Sequence, residues 1–399
     1  MAEQFNYSLA NASALFKIKY EKLSENVYNS ANVLLGRCKK SYNFTGKQLS
    51  IAIPQSFAGG VGSGSLPKAN AANYADAQIT AKKMYAVVEI DRETIKAAMS
   101  DEGAFVRATK EVVKKGVEAF MRNLSRALFA DGSGKLGTCS GSPSVVSGNT
   151  VVTISDFKEA NFEEADLVDV GSSSSKQIEI LEVDPDAGTV TLKGDVSSDA
   201  TNGIILYMQG SNSSDPEGLD GVIKKSDSRT ESYGITHARR WDSKIKDAGA
   251  AAISSDLLNE MMLKVEKSCG KSPNLIVCSY KQYEKILNLL EDQKRYEVKT
   301  RAGLKSKSGA DISFSGVEFM SSSGPVGIFP ERFVEDDRIY FLNDNHIHIY
   351  HRPDFGWFDD DGTVFLRKSD SDAYEARYGG YLNVYINPCF HGVLHNLSV

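Results

Sequence analysis

The chain has 399 residues, of which 41% are hydrophobic and 25% charged, a composition typical of a globular protein with two or three domains. Its 46 basic and 52 acidic residues give a net charge of −6, which provides no overall basic field for nucleic acid. No apolar run approaches the roughly 18 residues of a membrane span. The N-terminus does not have the pattern of a secretory signal.

The five cysteines are an odd number, widely scattered, with no CxxC pair. This pattern argues against a disulfide framework and against a zinc site. We therefore expect a protein that is made and kept in a reducing cytoplasm.

Residues 1–50 predict an N-terminal arm, because their helical periodicity is weak and their first part is polar. Residues 51–90 predict an extended loop in the form of a long β-hairpin. Apolar and polar residues alternate on both sides of a glycine-rich stretch, Gly59–Gly64, which we interpret as a flexible tip.

Residues 91–138 contain the strongest signal, a short helix followed by one long amphipathic helix. One face carries apolar residues at helical spacing, and charged residues occupy the other face. Glycines 132 and 134 end the pattern. About 30 residues at about 1.5 Å each give a rod of roughly 45 Å, which suits a thin, extended subunit that tiles with copies of itself. The predicted core residues of this spine helix are Phe105, Val112, Val113, Phe120 and Leu124.

Residues 139–210 consist of short β-rich runs separated by turn clusters, which predicts a small inserted sandwich or barrel. Residues 211–240 are a polar, extended connection with a strand. Helices and strands alternate over 241–345, an α/β domain, and residues 346–399 are closing β-strands.

Few motifs suggest chemistry. Gly59–Gly64 has no following GK[ST], and neither a GxSxG elbow nor an HExxH motif occurs. Cys389 and His391 alternate, as residues on opposite faces of a strand or turn do. The basic residues of the rod are interrupted by glutamates, which is typical of a solvated helix face.

The best candidate metal ligands are His346, His348 and His351, with Asp344 and Asp354 near them in sequence. The simpler interpretation is the wet face of a half-exposed strand. Asp359–Gly362 resembles part of a calcium loop but reads as a tight turn. We predict no catalytic residue, no cofactor and no metal site.

The order of these parts, with Asp131–Gly134 after the rod and Gly218–Gly221 (Gly-Leu-Asp-Gly) after the insertion, resembles the major capsid proteins of tailed double-stranded-DNA bacteriophages. The finish from Tyr374 to Leu397 is similar to the closing strands of that family. The resemblance implies an α+β Hong Kong 97-like capsid fold with an arm, an extended loop, a spine helix, an inserted β-domain and an axial α/β domain.

The resemblance further implies a structural protein whose copies form pentamers and hexamers of an icosahedral shell around the genome. The shell would be assembled in the host cytoplasm, with no membrane and with non-specific contact to DNA. Possible partners are a portal, decoration proteins and a separate scaffold, because fewer than about 50 residues precede the loop. The loop residues expected to contact a neighbouring subunit are Phe57, Val61, Leu66 and Tyr74.

Two alternatives stay open at the level of sequence. One is a cellular shell protein of the encapsulin kind, which has the same fold. The other is a β-rich carbohydrate-binding or hydrolytic protein in which residues 139–210 are the active module.

Overall fold

A computed structural model describes residues 33–41, 44, 46–56, 73–91, 102–172, 176–223, 231–236, 241–292, 302–305, 311–314, 317–322, 324–352, 356–358, 364, 366–369 and 371–399. The helices over these ranges are α1 Val33–Arg37, α2 Glu102–Phe129, α3 Leu219–Val222, α4 Ser255–Cys269 and α5 Tyr280–Asp292. None of them is long and apolar enough to cross a membrane.

The strands of the first half are β1 Lys39–Ser41, β2 Gln48–Ser56, β3 Asn73–Thr80, β4 Lys82–Asp91, β5 Lys135–Val146, β6 Asn149–Ile154, β7 Leu167–Val170, β8 Gln177–Asp184, β9 Thr189–Leu192 and β10 Ile205–Met208. Those that follow are β11 Glu231–Ser232, β12 Ile235–Thr236, β13 Lys244–Asp247, β14 Leu275–Cys278, β15 Ala302–Lys305, β16 Asp311–Phe314, β17 Val317–Ser321, β18 Gly324–Pro330, β19 Ile339–Leu342, β20 Ile347–His351, β21 Gly356–Trp357, β22 Leu366–Arg367, β23 Ala373–Ile386 and β24 Gly392–His395.

The long helix α2 covers one face of a sheet that is built around β23. Strand β23 pairs with β20, β21 and β22 along one edge and with β4 along the other, and β1 extends the sheet beyond β20. Phe120 of α2 is 1% exposed and meets Tyr378 of β23 edge to face, with ring centroids 5.3 Å apart. Gly116 permits close contact, because a Cβ there would lie 2.3 Å from Cγ2 of Val88. The helix therefore packs directly on the sheet.

The start of the described chain contributes to the same core. Leu34 and Leu35 of α1 are fully buried, as are Ala77 and Ile79 of the β2–β3 hairpin. The apolar residues of α1 are therefore core residues, although the sequence placed them in an arm. The described strands of the hairpin likewise pack on this core at its base.

Strand β4 differs from the expectation for the extended loop. It pairs with β23 over ten residues, from Asp91 opposite Ala373 to Lys82 opposite Leu382, and not with the hairpin. Apolar and polar residues alternate along β4 with a period of two, as the sequence predicts. In this pairing Val88 faces the long helix and is buried against it.

Strands β5 to β10 close into a six-stranded barrel in the order β10-β5-β6-β9-β8-β7. The barrel begins at Lys135, four residues before the expected boundary. Its interior is a separate core, lined by Leu136, Val152, Ile154, Val168, Ile180, Val190, Leu192 and Leu206 among others.

The axial unit is a mixed sheet with the order β13-β24-β19-β14-β18-β17, flanked by α4 and α5. All four residues of β14 are buried, as expected for a central strand. Helix α4 begins at the cap Ser254, whose Oγ accepts a hydrogen bond from the Leu257 N–H at 3.2 Å. Met261 and Val265 of this helix pack on the sheet in a second core.

The first prediction concerns the contact between the long helix and the sheet. Phe120→Asp should prevent folding, because a carboxylate would replace a ring that is 1% exposed, at a cost of about 3–5 kcal/mol or more. Soluble yield and urea unfolding measure the effect. Lys115→Asp, on the exposed side of the same helix, is the matched control and should fold. Native stability of the Phe120 variant would show that this face is not a core.

Candidate assembly surface

The β2–β3 hairpin carries a side chain that the sequence singled out for intersubunit contact. Tyr74 is 58% exposed and stands opposite Pro54, next to the end of the described hairpin. Phe57, Val61, Leu66 and the stretch 59–64 lie outside the described residues. One face of the hairpin base packs on the core through Ala77 and Ile79, so the protein holds the hairpin in place at its base.

Only some of the predicted core residues of the spine helix have side chains that the structure describes. Phe120 and Leu124 are buried. Phe105, Val112 and Val113 lie within α2, but their side chains are outside what the structure describes.

A second surface, the outer face of β4, was not singled out by the sequence. It points away from the long helix and exposes Tyr85 (44%) and Val87 (57%). Over the residues that the structure describes, β4 is paired on one edge only, with β23. A long edge strand with exposed apolar side chains is a template for contact with another chain, and monomeric proteins usually protect such edges. The sequence could have predicted this surface, because the alternation from Lys83 to Glu89 places apolar residues on the outward face of the strand.

The two glycine motifs of the sequence meet in the structure at the C-terminal end of α2. A Cβ on Gly134 would lie 2.3 Å from the Ser211 carbonyl oxygen, and one on Gly218 would lie 2.2 Å from the Ala127 carbonyl oxygen. The Gly221 N–H donates to the Ala130 carbonyl at 3.3 Å. We call this packed region the junction. Glycine is needed there because backbone passes directly over backbone.

A buried ion pair reinforces the junction. Arg126 is 5% exposed, and its Nη2 lies 2.7 Å from Oδ2 of Asp215. Asp215 also accepts a hydrogen bond from Ser211 Oγ at 2.6 Å. The pair fastens the segment that leaves the barrel to the helix that precedes it. Removing one partner of such a pair costs more than the pair contributes, because a buried charge is left alone.

Ion pairs also link the junction to the barrel and the axial unit. Arg338 contacts Asp220 of α3 and lies 2.6 Å from Glu335. Glu335 in turn lies 3.0 Å from Lys158 of the barrel. Burial favours the neutral form of Glu335, but the charges of Lys158 and Arg338 outweigh it and hold the pKa of Glu335 below its usual value.

Charge is distributed unevenly over the chain. Residues 135–210 contain four lysines and twelve acidic residues, a formal charge of −8 against −6 for the whole chain, so the other residues together carry +2. All four lysines are in ion pairs: Lys135 with Asp156, Lys158 with Glu335, Lys176 with Asp199 and Lys193 with Glu179. The barrel surface is therefore strongly acidic.

The histidines near the C-terminus do not converge on a common point. The His346 ring stacks on Phe390 with centroids 3.7 Å apart, and the His348 ring stacks near Tyr350. His351 Nδ1 lies 2.9 Å from the Arg352 carbonyl oxygen. Burial is the main cause that lowers the pKa of His346 to about 4. Within the described ranges, no group of three or more His, Cys, Asp or Glu side chains is arranged to hold a metal ion.

Three of the cysteines are poor nucleophiles. Burial raises the pKa of Cys389 to about 12, of Cys278 to about 12 and of Cys139 to about 11. These thiols are therefore protonated at neutral pH and do not attack. His391 is fully buried, and its Nδ1 accepts a hydrogen bond from the Asn343 N–H at 3.2 Å. The residues from 359 to 362 lie outside the described part of the chain.

A family model described as SU10 major capsid protein matches residues 187–395, just over half of the chain. No curated protein sequence matches.

Among solved structures, the capsid asymmetric unit of Cyanophage A-1(L) has 12% identity and a TM-score of 0.51, with 91% of each chain covered. The capsid of an empty GTA particle has 9% identity and a TM-score of 0.47, covering 92% of this chain and 90% of the other. An encapsulin from Synechococcus elongatus has 8% identity and a TM-score of 0.43, covering 91% and 86%. The likeness to the cyanophage chain is one of fold.

Gly134→Ala tests the junction. Both Gly134 and Gly148 have positive φ, 77° and 80°, but only at Gly134 would a Cβ meet backbone; the space around Gly148 is open to 4 Å. Gly148→Ala should cost about 1–2 kcal/mol through its backbone conformation alone. Gly134→Ala should cost at least about 2 kcal/mol more, measured by chemical unfolding. Equal losses in the two variants would mean that the close approach is unimportant.

Glu331, directly after β18, predicts a dependence of stability on pH. It is 7% exposed, and burial raises its pKa to about 7, although the Arg332 backbone N–H and guanidinium favour the carboxylate. Because the pKa is raised in the folded chain, the Glu331 carboxyl group loses its proton at a lower pH in the unfolded chain than in the folded chain. The free energy of unfolding should therefore fall between about pH 4.5 and 7, by up to about 3 kcal/mol.

Glu331→Gln should remove this loss, as measured by urea unfolding at a series of pH values. Glu335→Gln is the control. The pKa of Glu335 is lowered, so this carboxyl group changes the free energy of unfolding only at acidic pH, below the ordinary pKa of a glutamate. An unchanged slope in the Glu331 variant would show that this carboxyl group does not titrate near neutral pH.

Proposed function

The chain belongs to the SU10 major capsid protein family. We propose that its exposed apolar surfaces join copies of the chain into a shell. It is a bacteriophage major capsid protein, a structural component of the virion capsid. Its architecture is the α+β Hong Kong 97-like fold predicted from the sequence. Copies of the chain associate with one another in the capsid.

In the proposed assembly, the subunits form pentamers and hexamers that close into an icosahedral shell around double-stranded DNA. Assembly takes place in the host cytoplasm, with a portal, decoration proteins and, where needed, a separate scaffold protein as partners. DNA is contacted non-specifically, because the net charge of −6 offers no strong field to bind it. The role needs no catalysis, cofactor or metal.

The observation that carries this proposal is the exposure of apolar residues on two rigidly supported surfaces. Tyr74 is 58% exposed on a hairpin whose base is fixed in the core, and Val87 is 57% exposed on a ten-residue edge strand. Apolar side chains on supported strands gain free energy when a neighbour covers them. In this proposal, the hairpin and the outer face of β4 are the contacts between subunits.

The acidic barrel has a different place in the shell. We assign it to the outer surface, where an insertion disturbs the contacts between subunits least. Its charge supports this placement, because twelve carboxylates against four lysines would repel packaged DNA from an inner wall. Most of its acidic residues are exposed, including Glu182, Asp184, Asp186 and Asp195.

The proposal is tested by electron microscopy of the protein expressed with its neighbouring phage genes. The parent should form shells, capsomers or tubes, and Val87→Lys should give a folded subunit that assembles at least tenfold less, because a charge would have to be buried at the contact. Tyr74→Lys should act in the same direction.

Val146→Lys is the matched control, since Val146 is 56% exposed but lies on the barrel. It should assemble like the parent. If the parent stays strictly monomeric at high concentration, the shell proposal is wrong. If Val87→Lys assembles normally while the parent forms shells, only the assignment of the β4 surface is wrong.

A further inference from the structure

The barrel is a separate body joined to the rest of the chain through one narrow neck. The segments that enter and leave it run side by side, with the Ser213 N–H donating to the Ser133 carbonyl at 2.8 Å and the Met208 N–H to the Gly134 carbonyl at 3.3 Å. The core of the barrel shares no residue with the main core. Both crossings therefore lie at one point, and no second covalent connection holds the barrel.

The neck is fixed on the side of the body. Gly134 and Gly218 pack against backbone, and the buried Arg126–Asp215 pair fastens the returning segment to α2. On the side of the barrel, Gly210 has a positive φ of 67°, and its N–H donates to Oδ2 of Asp169 at 2.8 Å. The neck itself consists of only two backbone segments.

Ion pairs hold the flank of the barrel against the body. Arg122 of α2 lies 2.6 Å from Asp166 and also contacts Glu163. Lys158 lies 3.0 Å from Glu335. The side chains are 18% and 25% exposed in the Arg122–Asp166 pair and 29% and 33% exposed in the Lys158–Glu335 pair. Ion pairs this accessible to solvent are weak, and salt screens them.

A polar cavity of about 140 Å³ lies between the barrel and the body. Its charged lining includes Arg126, Asp131, Lys135, Asp156, Lys158 and Glu335. Arg126 is 5% exposed, and its Nε and Nη1 have no hydrogen-bond partner among the described residues. A cavity with this lining suits water. Ala160 of the barrel segment also packs against the main core, so the interface combines a small apolar contact with these polar groups.

We propose that the barrel is a hinged arm that turns about the neck, and that the Arg122 and Lys158 ion pairs are the latch that holds it in the orientation seen here. Releasing the latch populates other orientations while the barrel stays folded. Turning would let one subunit fit positions of different curvature, a use that rests on the proposed function. The latch itself does not depend on shell formation.

The test is a spin-label distance measurement between Val146→Cys on the barrel and Leu263→Cys on α4, both exposed. Cys269 and Cys389 are replaced by Ser, and the three buried native cysteines are left in place. Labelled chains are diluted with unlabelled protein, so that only distances within one subunit contribute. The parent in 0.1 M salt should give one narrow distribution.

The double variant Arg122→Met, Lys158→Met should increase the population at other distances several-fold, and 1 M salt should do the same to the parent. Lys193→Met is the control, because the partner of Lys193, Glu179, lies within the barrel; it should leave the distribution unchanged. A distribution unaffected by both the double variant and high salt would overturn the proposal. Loss of the barrel fold in the double variant, seen as a separate early thermal transition, would overturn it as well.

Discussion

The close packing of backbone on backbone at the end of the long helix is the constraint on which the rest of the structure depends. Gly134 and Gly218 bring the turn after α2 and the segment after the barrel within van der Waals contact of each other. A side chain at either position would separate them. This contact holds the two ends of the barrel insertion together at the end of α2, which packs on the sheet around β23.

The electrostatics of the molecule follow the same division. Arg126–Asp215 is the most buried ion pair among the described residues, and it lies at the junction, where the loss of either partner would leave a buried charge. The pairs between barrel and body are more accessible, and their contribution depends on salt. Strong interactions therefore fix the chain path, and weaker ones set the orientation of the barrel.

The proposed function depends on the surfaces of this protein. The thiols of Cys139, Cys278 and Cys389 are protonated at neutral pH because of burial. The rings of His346 and His348 stack on aromatic rings, and His391 is buried. By contrast, exposed apolar side chains stand on strands that the core holds rigidly. Such residues are costly on a lone monomer and useful on a subunit of a shell.

The sequence patterns indicate a long amphipathic helix, a β-rich insertion and a mixed axial unit. The order of these parts indicates the capsid family. Periodicity of 3.6 or 2 is a local property, so Phe120 and Leu124 could be placed on a buried face without knowledge of their partners. The long-range partners were decided only by the tertiary structure. Strand β4 pairs with β23 and not with the hairpin, and Leu34 lies in the main core. Two glycine motifs that are far apart in sequence are in contact. The physical reason is that pairing and close approach depend on which surfaces bury each other, and a local pattern specifies the face that is buried but not the surface that covers it.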